Sequence, residues 1–294
     1  MEFRTRVDIP KPSFQIEPCE EMLFVGSCFA DSIGQRFVEE QFRATVNPYG
    51  VMYNPASVLH TVERWLSLQS EDEGGRHPRI TFSTLGTNHV YRLKETGEIV
   101  DNCQKRPAAL FQEEQLSVDE CADYLRRTVD LLRSRRPDAQ VVFTVSPIRY
   151  RKYGYHESQL SKATLLLAIN KVIALHHPQS TIHNPPSTIH NPPSTIHQTY
   201  FPAYEIMMDE LRDYRFYRED MLHPSPQAVE YIWQQLVNHY FSPRAKQFLQ
   251  EWAPLKAALN HRPFNPDSSE YRQFLTDTNA KVNALLTRYG VCPE

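Results

Sequence analysis

Long apolar runs, charge of one sign and paired cysteines are all scarce in this chain of 294 residues. No apolar run approaches the roughly 20 residues needed to span a bilayer. Met1-Glu2-Phe3-Arg4 has no apolar signal core. The chain is therefore expected to be soluble and cytoplasmic, with no membrane partner. Its formal net charge is -3, with acidic and basic residues interspersed. The lack of a broad basic face argues against nucleic acid and anionic membrane as partners. The five cysteines (Cys19, Cys28, Cys103, Cys121 and Cys292) are scattered, with no Cys-x-x-Cys pair. That argues against a disulfide framework and a structural zinc site, and for reduced thiols.

What is present is an alternation of strand and helix signals. Glu21 to Val25 is apolar and short, and reads as a buried strand. Phe29, Ile33, Phe37, Val38 and Phe42 then recur at helical spacing. Arg43 to Val46 reads as a second strand ending at the turn Asn47-Pro48-Tyr49-Gly50. Asn54-Pro55 opens a helix as N-cap and first helical residue, with Val58, Val62, Trp65 and Leu66 as its apolar face. Residues 69–79, with Gly74-Gly75, read as loop. Ile80 to Leu85 is a third strand. Val90–Leu93 and Glu98–Val100 flank Thr96-Gly97 as a hairpin. Ser117-Val118-Asp119-Glu120 is a capping-box pattern. Gln140 to Val145 is a β-branched and aromatic strand, and a long helix follows near Glu157 to Leu175.

This order predicts a parallel sheet with helices on both faces. Sites in such sheets lie at the carboxyl ends of the strands. Ser27, Gly50, Gly86 and Ser146 all follow predicted strands, so they are expected to border one crevice. Ser-Thr-Ile-His-Asn-Pro-Pro occurs at 180–186 and 187–193, and a third copy starts at 194. Paired prolines exclude helix and central strand there, so 180–197 reads as an inserted loop rather than a metal site for His183, His190 and His197. Beyond residue 240 the chain reads as a C-terminal helical extension, 241–294, appended to a domain spanning 1–240.

Ser27 falls where the first strand ends and a helix begins. The unpaired N–H groups there favour negative charge. The serine can be a helix N-cap or a nucleophile whose oxyanion the helix end stabilises. Asp220-Met221-Leu222-His223 supplies partners for the second role. An Asp three residues before a His in a turn can hold its Nδ1, which leaves Nε2 to take a proton from a serine. The plain alternative is an ordinary loop with a helix cap at Ser225. Cys28 also lies at the helix start, but neighbouring helical side chains point about 100° apart. Ser27 is therefore taken as the nucleophile and Cys28 as buried packing.

These residues resemble a known family. Gly26-Ser27-Cys28-Phe29-Ala30 is the name-giving motif of the GSCFA family, a branch of the SGNH/GDSL hydrolase-like proteins. Further matching blocks are Asn47 to Pro55, Thr84 to Thr87, Val90 to Gly97, Thr144 to Pro147, Tyr200 to Glu205 and Asp220 to Ser225. The resemblance spans roughly residues 20 to 240. It implies a three-layer α/β/α fold of flavodoxin-like order, with Ser27, Asp220 and His223 as catalytic triad. It implies an oxyanion hole made of the Ser27 N–H, the Gly50 N–H and the Asn88 side chain. Asn47 and Asn54 are rival donors, and with Arg149 they are candidate substrate-binding residues. His89 stands where the asparagine block of SGNH enzymes has an acid, and Tyr150 where a histidine is expected. The activity implied is serine-dependent removal of a small acyl group, such as acetyl, from a glycan or other polar small molecule, without metal or cofactor. Acyl transfer is a close variant. The rival expectation is a binding or partner module with a decayed site.

Overall fold

The computed structural model describes residues 4–69, 77–101, 103, 106–174 and 198–291. The tandem repeat, Gly74-Gly75 and Cys292 lie outside the described residues. The chain folds as a three-layer α/β/α structure. Strands β1 (Met22–Gly26), β2 (Ala44–Val46), β3 (Ile80–Leu85), β7 (Gln140–Val145) and β8 (Gln198–Tyr200) form one sheet in the order β2-β1-β3-β7-β8. Every pairing in it is parallel. Counted within the sheet this is 2-1-3-4-5, the flavodoxin-like order that the sequence implied.

Alternating side chains divide the core into two layers, as a strand period of two requires. Met22 and Phe24 face one side of β1, against α1 (Cys28–Glu39), the single turn α5 (Ala203–Glu205) and α6 (Pro226–Tyr240). Leu23 and Val25 face the other, against α2 (Pro55–Ser67), α3 (Val118–Arg135) and α4 (Gly154–Ala174). The first layer is aromatic: Phe24 stacks on Phe82 at 4.7 Å, and Phe37 meets Trp233 edge-on at 4.9 Å. Truncating Phe37 would cost roughly 3–5 kcal/mol. Helices α7 (Pro243–Leu259) and α8 (Ser269–Tyr289) cover the same layer, burying Phe248, Trp252, Leu285 and Leu286.

The helix starts follow their sequence signals. Ser27, Asn54, Ser117 and Ser225 all cap through side-chain oxygens, and the Ser117–Glu120 capping box is complete. Three features differ from expectation. Helix α1 stops at Glu39 rather than reaching Phe42, because Gln41 turns the chain at φ 63°. The expected hairpin, β4 (His89–Leu93) with β5 (Ile99–Val100), gains a third antiparallel strand, β6 (Phe111–Gln115). The polar sequence of β6, Phe-Gln-Glu-Glu-Gln, carries little strand signal. The three-residue β8 is likewise too short and polar to announce itself. No helix among the described residues is long and apolar enough to cross a membrane.

Candidate active site

Gly26 closes β1 with φ 140°, a conformation that L side chains rarely adopt. A Cβ there would collide with the Thr84 carbonyl oxygen on β3. Its absence lets the chain pass close to β3 and turn into α1. Ser27 is therefore held from several sides. Its N–H donates to Thr84 O (2.9 Å) and reaches Thr84 Oγ1 (3.0 Å). Its Oγ lies 3.1 Å from Thr84 Oγ1 and accepts from Phe29 N at 3.2 Å. Ser27 is 1% exposed. It is thus a true N-cap, the first of the two roles the sequence left open.

The histidine half rests on a short hairpin before α6. Tyr217 and Pro224 form an antiparallel bridge, and Arg218 N donates to His223 O at 2.8 Å. At its tip Met221 takes φ 57°. Asp220 Oδ1 accepts the N–H groups of Leu222 (2.9 Å) and His223 (3.0 Å), and Oδ2 lies 2.6 Å from His223 Nδ1. The His223 and Leu222 amides, followed by the imidazole, pull the Asp220 carboxyl down to about 2. Asp220 stays ionised across the physiological range, and the Nδ1 tautomer is fixed. His223 is 38% and Asp220 44% exposed. Nε2 has no partner among the described residues. Arg149 ties this hairpin to the end of β7: its N–H donates to Leu222 O (3.0 Å) and its Nη1 to Met221 O (3.2 Å). Tyr155, Tyr214 and Tyr217 surround its guanidinium at 4.4–5.6 Å. Arg149, a candidate substrate-binding residue, thus holds the loop.

Among the described residues no hydrogen bond joins Ser27 to His223. The three expected oxyanion donors all have acceptors inside the protein. Ser27 N–H is taken by Thr84. Gly50 N–H donates to Asn47 O at 2.8 Å, closing its own turn. Asn88 Nδ2 donates to Leu116 O at 2.7 Å, beyond β6. Asn47 bridges Gly26 N (2.9 Å) and Asp31 Oδ1 (2.6 Å). Asn54 differs: its Oδ1 caps α2 through Ser57 N at 2.9 Å, and its Nδ2 has no partner among the described residues.

Cys28 is not the buried packing expected of it. It is half-buried, and burial raises its thiol above the ordinary range, with the charge of Asp31 adding to the rise and those of Lys162 and Arg218 opposing it. Tyr53, exposed, lies beside it. Lys162 carried no signal in the sequence beyond its place in α4, yet it is buried with its Nζ 2.9 Å from Ser146 O at the end of β7. A cavity of about 230 Å³, lined by Arg149, Met207 and Tyr217 among others, backs the His223 hairpin. One of about 980 Å³ lies against residues 4–7 and 209–213, and Ser27 and His223 line neither.

The sequence profile described as "GSCFA family" matches residues 21–77 and 74–236, and that described as "GSCFA domain protein, C-terminal domain" matches 252–291. No curated protein matches the chain. Among solved structures, the chain is similar to a Streptococcus pneumonia protein named provisionally as platelet activating factor, at 14% identity and TM-score 0.44, over 77% of this chain and 85% of that one. It is similar to a serine-to-alanine mutant of an acetyl esterase with acetate ion, at 10% identity and TM-score 0.42, over 79% and 99%. It is also similar to a carbohydrate esterase family 3 protein from Talaromyces cellulolyticus, at 11% identity and TM-score 0.37, over 79% and 99%.

Proposed function

The chain belongs to the GSCFA family, and we propose that it is a serine-dependent ester hydrolase. The observation that carries this reading is the Asp220–His223 pair, joined at 2.6 Å with Asp220 also held by two backbone N–H groups. A histidine fixed at Nδ1 and open at Nε2 is a general base awaiting a hydroxyl. Ser27 is the hydroxyl proposed for it. Ser27 Oγ leaves Thr84, passes its proton to His223 Nε2 and bonds to the ester carbonyl carbon. The carbonyl π pair moves onto oxygen. As the tetrahedral species collapses, the C–O bond to the alcohol breaks and His223 returns the proton to that alcohol. Water then repeats the sequence on the acyl-serine and releases the acid. Asn54, whose Nδ2 is unpartnered among the described residues, is the side-chain donor proposed for the oxyanion in place of Asn88.

The substrate class proposed is a small acyl group on a polar, glycan-like carrier. Exposed Tyr53, beside Gly86 after β3, and exposed Tyr155, beside the Arg149 guanidinium after β7, suit a hydroxylated carrier better than a lipid. The test is turnover of a short-chain p-nitrophenyl ester by wild type, Ser27→Ala and His223→Ala. Turnover that disappears in both variants supports the enzyme. Full activity in Ser27→Ala defeats the mechanism.

A second reading, a catalytically decayed binding module, is favoured by one observation. The Ser27, Gly50 and Asn88 donors are all engaged within the protein. Equal inertness of all three proteins toward a broad ester panel would support it.

A further inference from the structure

Lys162 has a setting that neither the fold nor the proposed triad requires. It projects from α4 to the carboxyl end of β7 and is 2% exposed. An ammonium has three donors. One is used, by Ser146 O at 2.9 Å. The Tyr204 ring lies 5.9 Å away, and no carboxylate among the described residues pairs with it. Ser146 Oγ, at the same strand end, is buried without a partner among the described residues. Two unsatisfied donor groups thus meet where a parallel sheet places its sites.

Burying a lone charge is costly, and burial drives the Lys162 ammonium down to about 7. The ionisable group that feels it is the Cys28 thiol, in the first turn of α1 beside Ser27. β1 pairs with β3 and β3 with β7, with Gly26 opposite Thr84 and Leu85 opposite Val145, so Ser27 and Ser146 follow the same end of the sheet two strands apart. A cation without an internal anion is complementary to an anion that forms or binds there.

We propose that Lys162 is a positioning residue that supplies positive charge to the crevice beside Ser27 and Cys28 and so favours an anionic group there. During ester cleavage that group is the negative charge that develops after attack by Ser27. This kinetic consequence rests on the esterase reading, whereas the charge itself does not.

The test separates the two by alkylating Cys28 at pH 6 with iodoacetate, which is anionic, and iodoacetamide, which is neutral. Site-resolved mass spectrometry gives the ratio of the two rates. The ratio cancels the thiolate fraction and reports the local charge that the anionic reagent meets. Cys19, at the opposite end of β1, is the internal reference. In Lys162→Met the Cys28 ratio is expected to fall at least about threefold, with the Cys19 ratio unchanged. Lys162→Gln, should the first variant fail to fold, is expected to do the same. A Cys28 ratio that stays at the wild-type value in either folded variant overturns the proposal. On esters, Lys162→Met is expected to lower kcat with KM unchanged. A wild type that turns over no ester defeats the esterase reading, and the alkylation ratio still decides the role of Lys162.

Discussion

Ser27 and His223 sit in opposite physical settings. The serine is built into the sheet: Gly26 admits it, β3 grips its N–H and hydroxyl, and it is 1% exposed. The histidine stands at the tip of an exposed hairpin, and its geometry comes from a carboxylate three residues away. One half is fixed by the fold and the other by local hydrogen bonds. It follows that substitutions in the frame around Ser27 are felt as stability, and those in the hairpin as activity.

Gly26→Ala should break the serine half most severely. A methyl group meets the Thr84 carbonyl and the backbone is already at φ 140°. A loss of roughly 3 kcal/mol or more is expected in denaturant unfolding. An unchanged midpoint would show that β1 and β3 are not held as closely as described. The hairpin should behave the other way. His223→Ala is expected to stay within about 0.5 kcal/mol of wild type. Asp220→Asn should lower kcat by roughly 10²–10⁴, because the tautomer and orientation of His223 are lost. If Asp220→Asn instead loses stability and keeps its activity, the comparison is reversed.

Lys162 sharpens the contrast, since it is buried with no carboxylate partner among the described residues. Its folded pKa, lowered to about 7, lies below the value of about 10.4 in an unfolded chain. The unfolded state therefore binds more protons between those values, and wild-type stability rises with pH across that window. Lys162→Met is expected to gain roughly 1–4 kcal/mol at pH 6. The gain should shrink as pH rises from 7 toward 10. Melting curves of both proteins across that range would test it, and a constant or growing difference would contradict it. The smallest effect is expected from Thr84→Val. It costs about 1 kcal/mol through the lost Oγ bonds. It should not lower kcat, because those bonds hold Ser27 in its resting position.

Both halves of the candidate site carry local signals in the sequence. A strand–helix junction marks Ser27, and a three-residue spacing marks Asp220 and His223. The parallel sheet was legible for the same reason, through short apolar runs alternating with capped helices, whereas its strand order came only from the family resemblance. The strands that were missed, β6 and β8, are polar or three residues long and exist through their partners. The partners of the expected oxyanion donors Ser27 and Asn88 rest on long-range pairing, which the sequence does not display. Asn88 is claimed by Leu116 only because β6 pairs with β4, and the Ser27 N–H by Thr84 only through the β1–β3 register. Gly50 could have been read: the turn Asn47-Pro48-Tyr49-Gly50 closes on the Gly50 N–H by its own i to i+3 bond. Lys162 gave no pattern to find, since a lone lysine in a helix is ordinarily solvated.

The central claim is that Ser27, activated by His223, is the nucleophile. It is tested most directly by treating the protein with diethyl p-nitrophenyl phosphate, which phosphorylates an activated hydroxyl and releases p-nitrophenol, and locating the adduct by mass spectrometry. One adduct is expected, on Ser27, and it should be absent from His223→Ala. An unmodified Ser27, with the adduct on Cys28 or on no residue, would contradict it.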